Sequence, residues 1–343
     1  MKQFNFAEDV VSTEITVTDG FGDGGVGILT GTNLTTSSLS NAQKEYYYNM
    51  QFNSKDHLSL SYGHIAGSGS AEQSATLEGT TKAVYGQFYN LLETDRTALK
   101  RNTGFVINNA TASDAYFLVA ERLQMKDRLN PGTWTLTLSG STDAGAGLTL
   151  NLTDNSKTND PSAAPFGERY DIVKGSAGNV TDTTQQGFFY PDAGIMVLGG
   201  NQMSQSLPGT SAGITAGVNV PAVAQGTGMA PDHRVADAVD NPHKFVTALS
   251  KGSLTLRSEE KQFIYDYFCR AKANEFNYSQ NLTFWSGSQY DIRHTDMINN
   301  PQVYITEVGL YDEAGELMAI GRLSSALEKN FSSEAIVKVR LTY

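Results

Sequence analysis

The feature that most restricts how this chain folds is the alternation in its final segment, Glu334–Tyr343. Ala335, Val337, Val339, Leu341 and Tyr343 fall on one side of an extended backbone, and Lys338, Arg340 and Thr342 on the other, with Ile336 alone out of pattern. Successive side chains of a strand point to opposite faces, so a period of two predicts a half-buried strand that ties the C-terminus into a sheet. Two apolar runs precede it, Val303–Tyr311 and Glu316–Leu323, joined by Asp312-Glu313-Ala314-Gly315. Apolar runs joined by a short polar loop ending in Gly predict a β-hairpin. A break at Ser324–Ser332 is expected between the hairpin and the terminal strand.

Composition extends this reading to the whole chain. It has 33 glycines, only 18% charged residues, and 16 each of Tyr and Phe. Turn formers and aromatics suit pleated sheet rather than long helices. The expected fold class is mainly β (β-rich α+β): antiparallel sheets with one or two short helices and long loops. At 343 residues about two domains are expected by length. The composition along the chain suggests three regions. Residues 1–155 form an N-terminal β-rich domain with one helix, 156–250 a loop-rich insertion with short strands, and 251–343 a C-terminal antiparallel β domain ending in the hairpin and terminal strand.

Strands are expected at 10–18, Val26–Leu29, Tyr46–Phe52, Leu58–Tyr62, Tyr116–Glu121, Trp134–Ser139 and Leu148–Leu152. Thr80–Leu92 is the clearest helix. Val84, Phe88, Leu91 and Leu92 share one face, Thr80 or Thr81 supplies a cap, and Gly86 weakens the helix by about 1 kcal/mol relative to Ala. Asp127–Gly132 predicts a turn around Pro131-Gly132. Short strands follow at Tyr170–Val173, Phe188–Tyr190 and Ile195–Leu198. Residues 232–249 suit a helix, and Ser253–Arg257 and Gln262–Arg270 suit strands. Leu207–Met229 is a Gly-, Ala-, Thr- and Ser-rich stretch without periodicity, which we expect a neighbouring subunit to order.

Residue patterns that would carry chemistry are weak. His57 and His64 have opposite parity on one expected strand, so they face apart. His233 and His243 lie near Asp232, Asp237 and Asp240. On a helix 233, 237 and 240 would share a face, but the spacing matches no zinc signature and a solvated acidic face is the expected reading. Asp19-Gly-Phe-Gly-Asp-Gly-Gly lacks the ligands of a calcium loop and reads as a tight turn. No nucleophile elbow or phosphate loop is present, and Gly22–Gly27 lacks the helix that a dinucleotide fingerprint needs. Trp134 and Trp285 suit either a sugar-stacking face or, more commonly in strands, a core. Cys269, the single cysteine, excludes an intrachain disulfide, fits a reducing cytoplasm and reads as a small buried residue. No catalytic, cofactor-binding or metal residue is therefore assigned, and no enzyme activity or cofactor is expected. A net charge of −11 with 25 Lys and Arg argues against nucleic acid as a partner. The N-terminus lacks a signal-peptide apolar region, and no apolar run reaches about 18 residues, so no membrane partner is expected.

Several phrases resemble a known family. They are Val303-Tyr-Ile-Thr-Glu-Val-Gly-Leu-Tyr-Asp, Glu316-Leu-Met-Ala-Ile-Gly-Arg-Leu-Ser, Lys329-Asn-Phe and Glu334-Ala-Ile-Val-Lys-Val-Arg-Leu. Asn274-Glu-Phe-Asn-Tyr-Ser, Phe189-Tyr-Pro-Asp-Ala-Gly-Ile-Met-Val-Leu and Met125-Lys-Asp-Arg-Leu-Asn-Pro-Gly-Thr-Trp join them. Together they resemble virion structural proteins of contractile-tailed (T4-like) marine phages, cyanobacterial ones above all. The resemblance implies a non-enzymatic virion component, made in the host cytoplasm and located in the virion. Its partners would be other virion proteins and copies of itself. A tail or baseplate position is favoured over the neck or head surface. The alternative is a receptor- or glycan-binding tail protein.

Overall fold

The computed structural model describes residues 3–21, 28–30, 34–36, 47–52, 55–67, 80–93, 104–141, 147–203, 241–250, 252–278, 281–289 and 291–342. Antiparallel strands dominate them, and two helices longer than one turn accompany the strands, Thr80–Leu92 and Asn241–Ser250. The expected β-rich class is the observed one. In chain order the strands are β1 (Val10–Gly20), β2 (Ile28–Thr30), β3 (Leu34–Thr36), β4 (Tyr47–Phe52), β5 (Lys55–His64), β6 (Val106–Ile107), β7 (Ala110–Thr111), β8 (Asp114–Ala120), β9 (Arg128–Leu129), β10 (Thr135–Ser141) and β11 (Gly147–Asp154). They continue with β12 (Ser162–Ala164), β13 (Gly167–Ser176), β14 (Asn179–Tyr190), β15 (Ile195–Gly199), β16 (Ser253–Thr255), β17 (Arg257–Ala271), β18 (Trp285–Ser286), β19 (Asp291–Ile292), β20 (Val303–Tyr311), β21 (Leu317–Lys329) and β22 (Ala335–Thr342).

The chain forms two compact units, a larger one of Val17–Glu260 and a smaller one of Met1–Thr16 with Lys261–Tyr343. The boundaries fall inside β1 and β17 rather than at residues 155 and 250. Both expected boundaries run through one twelve-stranded sheet of the larger unit, ordered β2-β16-β10-β11-β13-β14-β15-β8-β5-β4-β3, with β12 beside β13. Asp154 of β11 pairs with Ile172 of β13, and Leu254 of β16 pairs with Leu136 of β10. The stretch that reads as a loop-rich insertion supplies central strands. β13 and β14 outrun their expected apolar cores because their outer ends carry polar residues such as Glu168, Lys174 and Asp182.

Alternation along the central strands feeds two separate cores. Tyr116, Leu118, Phe189, Met196 and Leu198 point to one face, where Phe245, Val246, Ala248 and Leu249 of the Asn241–Ser250 helix cover them. Phe117, Phe188, Tyr190, Ile195 and Val197 point to the other, where Tyr85 and Leu92 of the Thr80–Leu92 helix join them. Burying each such side chain contributes about 1.5–3 kcal/mol. The Thr80–Leu92 helix has the expected span but a rotated buried stripe. Thr81, Tyr85 and Leu92 are buried, while Leu91 remains 41% exposed. Tyr85 is the reason, because its hydroxyl donates to the Ala112 carbonyl at 2.6 Å and accepts from the Phe105 amide at 3.0 Å. A buried hydroxyl that finds partners anchors better than a second leucine. Gly187 is required where β14 meets β15, since a Cβ there would lie 1.9 Å from the Val197 carbonyl oxygen.

The expected turn at Asp127–Gly132 is present, with Gly132 at φ 72°. The Gly132 amide donates to both oxygens of buried Asp154, at 2.9 and 2.8 Å. Residues 207–229, 232–240 and 22–27 lie outside the described residues.

Candidate assembly surface

The smaller unit is built on β17, with β1 on one side and β22 on the other. The β17–β22 register runs unbroken from Ile264↔Thr342 to Ala271↔Ala335. As the alternation requires, Val337, Val339 and Leu341 are half-buried, while Ile336, Lys338, Arg340 and Thr342 are exposed. The exposed row is also the charged one. Arg340 donates to Asp266 at 2.8 and 3.0 Å, and Lys338 approaches the same carboxylate at 2.7 Å. These cations hold Asp266 well below the usual carboxylate range. On the β1 side, Glu14 meets Lys261 at 2.9 Å and Asp9 meets Arg270 at 3.2 Å.

β20 and β21 form the expected hairpin. Asp312 closes its turn: the Asp312 amide donates to the Glu316 carbonyl at 3.0 Å and the Glu316 amide donates to Asp312 Oδ1 at 2.7 Å. Gly315 takes φ 84°. Val308↔Gly321 and Leu310↔Ala319 lie on one face. A Cβ on Gly321 would touch Val339 of β22 at 3.5 Å, so this face packs over the β17–β22 sheet. Glu307↔Arg322, Gly309↔Ile320 and Tyr311↔Leu317 lie on the opposite, outward face.

The expected break at Ser324–Ser332 is shorter than the sequence suggests. β21 continues to Lys329, and a shift of register between Ile305 and Glu307 absorbs the extra residues of β21 as a bulge. Lys329 is fully buried. Its ammonium donates to the Asn277 side-chain oxygen at 2.8 Å, the Asn330 carbonyl at 2.8 Å and the Ala273 carbonyl at 3.1 Å. Three acceptors satisfy its three donors, which is what burial of an ammonium demands. They clip the turn at Ala273–Asn277 to the end of the hairpin. No sequence signal announces this lysine, because two of its partners, the Ala273 carbonyl and the Asn277 amide, lie more than 50 residues away.

The smaller unit buries little else. Among its described apolar side chains only Ala271, Phe284, Leu310 and Ala335 are buried. Phe6, Val11, Phe276, Tyr278, Leu282, Ile298, Tyr304, Met318, Ile320, Phe331 and Ile336 are each half exposed or more.

The residues with chemical potential are not brought together. His57 is buried edge-on against Phe21 and Phe52, and its Nδ1 lies 2.8 Å from the Lys55 carbonyl. His64 is buried, its Nδ1 accepts from the Ala66 amide at 3.0 Å, and burial lowers its pKa. Cys269 is half-buried in β17 opposite Val337, and burial pushes its thiol up. Trp134 is fully buried against Phe189 and unavailable to a sugar, whereas Trp285 is half-buried beside Phe284. His233, Asp232, Asp237 and Asp240 lie outside the described residues, and the side chain of His243 is not described. Among the described residues no group of three His, Cys, Asp or Glu is placed to hold a metal ion. No described helix is long and apolar enough to cross a membrane.

One polar cluster in the larger unit is structural in its chemistry. Arg128 binds Glu259 through Nε and Glu168 through Nη1 at 2.7 Å, with Asp192 at 3.7 Å. It ties β9 to the start of β17, to β13 and to the turn after β14, and its charge is already matched by these carboxylates. Comparisons with protein-family models, with curated proteins and with solved structures find no match.

Proposed function

We propose that this chain is a structural component of a contractile-tailed phage virion, associated with the tail or baseplate, and that it acts through protein–protein contacts rather than catalysis. The observation that carries the assembly role is the outward-turned apolar surface of the smaller unit. Tyr, Phe, Leu, Ile and Met side chains left in water at this density gain about 25 cal/mol for each Å² that a partner covers. The virion setting comes from the resemblance carried by the hairpin and terminal-strand phrases. Among the described strands β1 ends its sheet, and such an edge offers a backbone row for pairing with another chain, which suits the same role. Deleting the gene from its phage tests the reading. Particles arrested before a complete tail, with the protein found in wild-type tail fractions by mass spectrometry, are the expected result. Complete infectious particles that lack the protein would overturn it, as would specific glycan cleavage by the pure chain.

A further inference from the structure

The half of the outward β20–β21 hairpin face that lies nearest the turn is apolar at its tip and matched to itself, while Tyr304↔Glu328 lies at the far end. Three cross-strand pairs lie on it: Glu307↔Arg322, Gly309↔Ile320 and Tyr311↔Leu317. The Tyr311 ring and Leu317 reach over Gly309, where a Cβ would meet them at 2.9 and 3.2 Å. With Ile320, which is 54% exposed, they make one continuous apolar cap. Beside the cap stand one acid and one base, Arg322 Nε lying 3.5 Å from Glu307 Oε2, both largely in solvent.

We propose that this face is where a second copy of the chain docks, related to the first by a two-fold axis along the hairpin midline. Such an axis sets every residue of β20 opposite the residue of β21 at the same level in the other copy. Glu307 of each copy then faces Arg322 of the other, and Tyr311 faces Leu317. An isologous contact must be complementary to itself. An adjacent acid and base flanking the axis satisfy that in charge, which a face of a single sign does not. The inward hairpin face is already covered at Val339, and a two-stranded ribbon in water is only marginally stable until further layers cover it. The inference rests on the assembly reading and names its first partner.

Sedimentation of the full chain over a range of concentrations tests it. The wild type is expected to dimerise. Glu307→Arg and Arg322→Glu each leave the face with one sign, and each is expected to self-associate at least about tenfold more weakly. Mixing the two variants restores the dimer, because each carries the sign the other lacks. Should a charge variant unfold, Ile320→Asp reads the same face with the ion pair intact and is expected to weaken the dimer similarly. A wild type that stays monomeric overturns the proposal, and so does a dimer that these variants leave unchanged. Folded variants whose mixture does not dimerise overturn it as well. A monomer that still enters phage tails ends this inference alone. A dimer absent from particles ends the virion reading alone.

Discussion

Phe117 and Ile320 occupy similar places, mid-strand in antiparallel pairs, and meet opposite environments. Phe117 lies on a strand buried on both faces and stacks on Phe88 at 4.1 Å, while Ile320 stands in solvent beside Tyr311 and Leu317. The larger unit places a helix over each face of its sheet and so closes two cores. The smaller unit covers one hairpin face with its own sheet and, among the described residues, leaves the other exposed. The difference shows that strand formation and core formation are separable. Register and turn chemistry suffice to make the small unit's strands, and its apolar side chains are then available for another purpose.

The contrast breaks most readily at Phe117. Phe117→Ala is expected to destabilise the chain by about 3–5 kcal/mol in urea unfolding, because it opens a cavity between Phe88, Phe105 and Tyr85. A loss below about 1 kcal/mol would mean that the second core is not packed as described.

Next comes buried Asp114, whose carboxylate accepts from the Tyr62 hydroxyl at 3.2 Å and from the Ser113 hydroxyl at 3.0 Å. Burial pushes its pKa up from 3.8 to about 6. The folded chain therefore keeps this proton where the unfolded chain has lost it. The contribution is full below the ordinary value and fades as pH rises toward about 6. The stability of Asp114→Asn relative to wild type is expected to grow by roughly 3 kcal/mol between about pH 3.5 and about pH 7. A flat difference across that range would contradict the burial.

Lys329→Ala is expected to cost about 1–3 kcal/mol, since it leaves the buried Asn277 side-chain oxygen without its donor, while the Ala273 carbonyl keeps the Asn277 amide. Hydrogen exchange should quicken at Ala273–Asn277 and leave the larger unit unchanged.

Asp266 has the opposite sign to Asp114. Cations hold its pKa low, so its contribution is present above about 4 and is lost on acidification below that. Asp266→Asn should flatten that acid limb in a melting-temperature profile. The smallest effect belongs to Ile320→Ala, expected within about 0.5 kcal/mol in the monomer. A larger loss there would show that its face is already covered.

Strand positions were legible in the sequence wherever the period of two was clean. β22 follows its alternation residue by residue, and the hairpin turn sits where Asp312–Gly315 placed it. Length was less legible. The polar ends of β13 and β14 carry no apolar pattern, yet antiparallel neighbours extend them, and so a sheet centre looked like an insertion. The Thr80–Leu92 helix was rotated by Tyr85, whose hydrogen bonds with Phe105 and Ala112 depend on segments that local periodicity does not see. The exposed apolar face was less legible still. Which hairpin face is left uncovered among the described residues depends on the packing of Gly321 over Val339, which no local pattern announces.

Because Lys329 is fully buried and donates to three acceptors inside the fold, an acylating reagent cannot reach its amine while the clip holds. Mild acetylation of the native chain should therefore pass over this one amine while marking exposed lysines such as Lys261 and Lys338. The moment at which it becomes labelled records when the hairpin end lets go of the Ala273–Asn277 turn, giving the protein a built-in clock for the opening of its smaller unit.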